Sequence, residues 1–213
     1  QIDEAATILK NGGLIAFPTE TVFGLGVVYD NKKAYDWMVV VKKRPPEKPF
    51  TLMLADPEDV EKYAELNNIS RALVKAFMPG QFTMVTKAKE GLPSWCVSSD
   101  GNVGIRIANY DLIRDLIRKT GKPLLVPSAN KSGEPPANSV EEVKAVFEDE
   151  IEAVLERNST SKVPSTIVFV KDEYFLFNAR LTFDAPIFPL PTFRTSIPFI
   201  FPIINPNGID PNR

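Results

Sequence analysis

Short apolar runs of strand length alternate along this chain with amphipathic segments of helical length, and that alternation restricts its fold more than any other feature. Leu14–Phe17, Phe50–Ala55, Phe82–Lys87, Val103–Ile107, Leu124–Val126, Ile151–Leu155 and Thr166–Val170 read as strands. Between them, residues 3–11 put Ala5, Ile8 and Leu9 on one helical face and stop at Gly12 and Gly13. Residues 32–42 space Ala34, Trp37, Met38 and Val41 for burial, and Pro45 turns Arg44 out of the helical region, so this helix ends near Lys43. Asp56-Pro57 opens a helix over 57–65, a second covers 69–78, and 111–119 is amphipathic. Ser139-Val140-Glu141-Glu142 is a capping box for a helix running to about Phe147. The pattern predicts one α/β domain over residues 1–178, a twisted mixed sheet of parallel and antiparallel pairs flanked by helices. After Asn178 the composition shifts, and 179–213 forms a Pro- and Phe-rich tail with no strand or helix period.

The residues that are missing narrow the chemistry. The 213 residues include no histidine, which excludes His-based triads, His general bases and His metal ligands. The single cysteine, Cys96, can form neither an internal disulfide nor a cysteine-cluster zinc site, so no metal ligands are expected. Chemistry must then rest on Lys, Arg, hydroxyls, carboxylates and backbone amides. No apolar run approaches the ~20 residues needed to span a bilayer and no signal-peptide pattern opens the chain, so a cytoplasmic protein with no membrane partner is expected. A net charge of −2 provides no global field for nucleic acid, and RNA contact would need a local patch.

Four segments concentrate suitable groups. Pro18 to Gly26, PTETVFGLG, follows the first strand with two hydroxyls (Thr19, Thr21), a carboxylate (Glu20) and two glycines that let a bound group approach the backbone. Lys42-Lys43-Arg44-Pro45, with Lys48-Pro49 close behind, is the densest positive cluster, and its prolines stiffen it. In the extended conformation favoured before Pro45, Lys42 and Arg44 point the same way and can hold a carboxylate or phosphate together. Arg106 sits on the apolar strand VGIRI, where a lone charge must find an anionic partner or reach the surface. Ser128, Asn130 and Ser132 of PSANKSG lie just beyond a strand end, where pockets of open α/β sheets commonly form.

Together with PGQFT (Pro79 to Thr83) and Ser165-Thr166, and in this order, these segments resemble the YrdC-type threonylcarbamoyl-AMP synthase family over roughly residues 1–178. The resemblance implies a YrdC-like fold and an enzyme that joins L-threonine, bicarbonate and ATP into threonylcarbamoyl-AMP, releasing pyrophosphate. It implies Mg²⁺ carried with ATP, and a separate transferase that passes the threonylcarbamoyl group to tRNA, with direct tRNA binding as a further expectation. It places Lys42 and Arg44 as the catalytic cations. Thr19, Thr21, Arg106, Ser128 and Asn130 become substrate contacts; Lys42, Ser132 and Ser165 become nucleotide contacts. The family pattern is not followed throughout: Gln81 replaces a usual Pro, Ala137 a common Thr, and a late Arg-Pro-Gly is missing, with Arg180 out of spacing. Two other readings use the same core: a carbamoyl-adenylate-forming module, and a double-stranded-RNA or ribosome-binding module without catalysis.

Overall fold

The computed structural model describes residues 1–44, 48–147, 149–157, 159, 161, 163–171 and, as backbone, 175–178. The tail over 179–213, the stiffening role given to Pro45 and Pro46, and Arg180 lie outside the described residues.

The described strands are β1 (Ile15–Phe17), β2 (Gly24–Val28), β3 (Leu52–Met53), β4 (Phe82–Lys87), β5 (Asn102–Arg106), β6 (Leu124–Leu125), β7 (Ala153–Val154), β8 (Thr166–Val170) and β9 (Phe175–Asn178). They form one sheet in the order β7-β1-β2-β6-β3-β5-β4-β8-β9. Pairing is mixed, as predicted: β1 with β7, β3 with β5 and β4 with β8 run parallel, and the remaining neighbours run antiparallel. Helices α1 (Ile2–Lys10), α2 (Lys32–Lys42), α3 (Asn68–Phe77), α4 (Asp111–Thr120) and α5 (Val140–Phe147) flank it. No described helix is long and apolar enough to cross a membrane.

Alternation along the strands builds two cores. Leu25, Val27, Leu52, Met84, Ile105 and Leu125 face one way and pack with Met38 and Val41 of α2, Leu73 and Val74 of α3, and Val143 and Phe147 of α5. Phe17, Val28, Met53, Leu124 and Val126 face the other way, under α1 and the Leu112-Ile113-Leu116-Ile117 stripe of α4. This second face continues across β5, β4 and β8, where the residues alternate with the buried Met84, Ile105 and Val168. There Val85, Gly104 and Ile167 are half-buried and Phe169 is exposed. That uncovered stretch of sheet is the floor on which the functional groups converge.

Several elements depart from expectation. The helix expected over 57–65 is a 3₁₀ helix, Pro57–Lys62. Of the strand expected over 50–55 only Leu52–Met53 is laddered, because its neighbour β6 is pinched between Pro123 and Pro127, which lack backbone donors. The PTETVFGLG segment is a loop only to Phe23; its last three residues open β2, a strand the sequence reading passed over. The glycines explain that strand. A Cβ on Gly26 would lie 2.4 Å from Phe17 Cε1, and one on Gly24 would lie 2.6 Å from Val126 Cγ1. Both glycines make room for core side chains, and the expectation that they admit a bound group is corrected.

Candidate active site

Lys42 is the last residue of α2 and is only 2% exposed. Its Nζ donates to the carbonyls of Ser128 (2.5 Å) and Asn130 (2.6 Å) and to Asn130 Oδ1 (3.1 Å). Its own carbonyl accepts from the Ser132 amide at 2.8 Å. One residue therefore grips both ends of the SANKS turn. An ammonium carries three donors, and the turn takes all of them. Burial first, then the nearby charges of Arg44 and Lys131, push the Lys42 pKa down to about 7. The acceptor oxygens favour the charged form, and their number is that of an ammonium.

The turn is organised around Asn130. Its Oδ1 accepts from Ser128 Oγ at 2.6 Å, and its Nδ2 donates to the carbonyls of Lys131 (2.9 Å) and Glu134 (2.8 Å). Ser128 and Ser132 remain exposed at the rim.

Arg44 leaves α2 by a different path from the one expected. Lys43 takes the left-handed conformation (φ 49°, ψ 41°) as C-cap, so the segment turns rather than extends, and that expectation is corrected. Arg44 Nε donates to the Lys48 carbonyl at 3.0 Å and Nη2 to the Pro49 carbonyl at 3.4 Å, with the guanidinium 5.2 Å from the Phe50 ring centre. Burial lowers its pKa. Lys42 and Arg44 are neighbours in charge but are anchored to different segments.

A second cluster surrounds Arg106 at the end of β5. Its Nη2 donates to Thr21 Oγ1 and pairs with Glu20 Oε1, each at 2.9 Å. Glu20 Oε1 also accepts from the Asn109 amide at 3.1 Å. Thr19 Oγ1 donates to the Val22 carbonyl at 2.7 Å, so in the 2.8 Å contact between the two threonines the hydrogen belongs to Thr21. The hydroxyl hydrogens of Thr19 and Thr21 thus point along the loop, and both side chains are buried. Arg106 is 7% exposed, and its Nε is buried without a hydrogen-bond partner among the described residues. Across the ladder Arg106 faces Thr83, whose Oγ1 lies 2.8 Å from Ser165 Oγ at the entry to β8.

Backbone bonds fuse the two clusters. The Ala129 amide donates to the Phe23 carbonyl at 2.7 Å, the Phe23 amide to Ala137 at 3.0 Å, and the Leu25 amide to Pro127 at 3.0 Å, while Gly24 bridges Ser128. Beside Arg106 on β5 the floor is open at Gly104, whose missing Cβ would sit 3.8–3.9 Å from Val85, Thr51 and Thr83. The structure thus brings together Thr19, Thr21, Arg106 and Ser165 on one side and Lys42, Ser128, Asn130 and Ser132 on the other, and holds Arg44 at the segment leading into β3. Thr83 enters the sequence reading only as the end of PGQFT, although its place on β4 opposite Arg106 is a usable signal. Glu20 enters it as a loop carboxylate available to orient a basic neighbour, and the structure shows that neighbour to be Arg106. The arrangement offers cations, hydroxyls and an open floor, the equipment for binding an anionic substrate and stabilising charge as it moves.

Comparison with known proteins agrees with this geometry. The family model Sua5_yciO_yrdC, described as telomere recombination, matches residues 7–177. A threonylcarbamoyl-AMP synthase of Klebsiella pneumoniae is 33% identical over 169 residues, 78% of this chain and 89% of that protein. One from Coxiella burnetii is 34% identical over 157 residues, 73% of this chain and 84% of that protein. Among solved structures, P. abyssi Sua5 complexed with L-threonine aligns with a TM-score of 0.79 at 31% identity over 83% of this chain, which spans about half (52%) of that one. E. coli YciO, at 23% identity and a TM-score of 0.78, shares the fold over 83% of this chain and 87% of its own.

Proposed function

The chain belongs to the Sua5–YciO–YrdC family, and on that footing we propose that it is a threonylcarbamoyl-AMP synthase. In this reading the amine of L-threonine takes up CO₂ from bicarbonate to give a carbamate. A carbamate oxygen attacks the α-phosphorus of ATP, and the bond to the bridging oxygen breaks with its electron pair, so that pyrophosphate leaves. ATP enters with Mg²⁺ on its phosphates. No covalent nucleophile on the protein is required, in keeping with a chain that contains no histidine.

The observation that carries the reading is the buried Arg106 guanidinium, its Nε without a hydrogen-bond partner among the described residues, on a stretch of sheet left half-exposed, with the Lys42-held turn tied to the same PTET loop by backbone bonds. Arg106 and Arg44 are the cations for carboxylate, carbamate or phosphate oxygens, and Ser128, Ser132 and Ser165 the hydroxyls for nucleotide and carbamate. Lys42 contributes its charge and the shape of the turn. The product, a mixed anhydride, is consumed in the cytoplasm by a separate transferase acting on tRNA.

Incorporation of radiolabelled bicarbonate tests the reading. Label should enter an AMP-linked product only when L-threonine and ATP are both present. Turnover that requires carbamoyl phosphate would instead assign a carbamoyl-adenylate reaction, and RNA binding that persists in Lys42→Ala and Arg44→Ala without any turnover would assign a binding module.

A further inference from the structure

Glu20 lies in the middle of the PTET loop, 7% exposed, and takes no part in the chemistry outlined above. Its Oε1 meets two donors from different elements, Arg106 Nη2 at 2.9 Å and the Asn109 amide at 3.1 Å. Thr21, the next residue, holds the same Arg106 nitrogen at 2.9 Å. Arg106 ends β5, and Asn109 stands just ahead of α4, which begins at Asp111. We propose that Glu20 is a positioning residue for Arg106: it fixes the plane of the guanidinium through one nitrogen while tying the β5–α4 junction to the loop. The proposal rests on the reading of Arg106 as a substrate contact.

The physical case is one of geometry and charge. An arginine side chain has several rotatable bonds, and a guanidinium held by a single nitrogen can still swing about its long axis. Two acceptors from consecutive residues converging on Nη2 remove that freedom. A buried guanidinium also needs a counter-charge before substrate arrives, since an unpaired buried charge is costly. Glu20 provides it. The carboxylate is enclosed and pairs directly with Arg106, and through that contact it acts on turnover. Misplacing a charged contact by about 1 Å typically lowers turnover on the order of a hundredfold, with less effect on ground-state affinity.

The test pairs a structural readout with a kinetic one. In ¹⁵N-arginine NMR spectra of the full chain, the Nη resonances of Arg106 should be resolved by restricted rotation. In Glu20→Gln, which keeps the size and removes the charge, they should merge. In threonine-dependent pyrophosphate release, Glu20→Gln should lower kcat about tenfold or more with KM changed less than about threefold. In an Arg106→Ala background the same substitution should cost nothing further. Unchanged Nη resonances, or losses that add in the double variant, would overturn the proposal. Should Glu20→Gln fail to fold, Glu20→Asp, which shortens the reach by one methylene, replaces it with the same expectations. A wild-type protein with no threonine-dependent turnover would refute the functional reading, while the NMR comparison would still decide whether Glu20 holds Arg106.

Discussion

The ammonium of Lys42 lies 2.6 Å from the carbonyl oxygen of Asn130 and 3.1 Å from its side-chain oxygen, joining the end of α2 to a turn far along the chain. With the Ser128 carbonyl also bound, the lysine serves as the post around which the SANKS turn is wound. Its role in catalysis is therefore inseparable from the shape of that turn.

Lys42→Ala strands three acceptors that the ammonium now satisfies. The expected loss in kcat/KM is over a hundredfold, at least ~3 kcal/mol of transition-state stabilisation, with a lowered urea midpoint. Steady-state kinetics alongside urea unfolding check both halves. Activity within threefold of wild type would mean that the turn holds its shape without Lys42.

The same lysine should titrate well below the ordinary lysine value. Its pKa is pushed from the ordinary 10.5 down to about 7 by burial, then by Arg44 and Lys131. The unfolded chain keeps this proton up to 10.5, so between about 7 and 10.5 the unfolded state binds more protons. This group's contribution to stability therefore rises with pH across that window, and the full cost of burying the ammonium is present below about 7. The Lys42→Met variant should remove that slope from the difference in unfolding free energy. ¹⁵N-lysine NMR reads the titration directly; a Lys42 signal that titrates at the ordinary 10.5 contradicts the assignment.

Gly26 and Gly104 should respond differently to the same added methyl. At Gly26 the Cβ would fall 2.4 Å from a ring carbon of Phe17, so Gly26→Ala should destabilise by about 1–3 kcal/mol in chemical unfolding. At Gly104 the nearest atom stands 3.8 Å away, so Gly104→Ala should leave stability within ~0.5 kcal/mol. A Gly104→Leu side chain, projecting from the floor between Thr51, Thr83 and Val85, should instead raise the KM for substrate.

The glycines of β2 also show how far the sequence could be read. The strand–helix alternation located α2 to the residue and β4 and β8 over their full lengths, because each is long enough to carry its own period. The start of β2 was not legible, since Gly24 and Gly26 look like loop residues until Phe17 and Val126 are seen packed against them. The motif residues were legible as chemical types, but their partners were not. Nothing local to PTET reveals that its carboxylate meets Arg106, which pairs with it across 86 positions of chain (106 less 20). The capping box was recognisable because its partners are local: the Glu142 amide donates to Ser139 Oγ at 3.2 Å, although the Glu142 carboxylate reaches the Asn138 amide instead of that of Ser139.

Lys43 carries backbone strain at the point where α2 delivers Arg44. With φ at 49°, a β-branched side chain is disfavoured, so Lys43→Val should cost about 1–2 kcal/mol. Lys43→Gly should stay within ~0.5 kcal/mol, since relief of strain offsets the added freedom of the unfolded chain. Thermal melts of the two variants separate them; equal stabilities would show that the left-handed turn is not kept in solution.

The most direct test of the account is mass spectrometry of the reaction with ¹³C-bicarbonate, L-threonine and Mg-ATP. The account predicts an AMP-linked threonine adduct carrying one ¹³C, formed by the wild-type protein and formed about a hundredfold or more slower by Arg106→Ala. ATP left unconsumed, or AMP released without any labelled adduct, would contradict it.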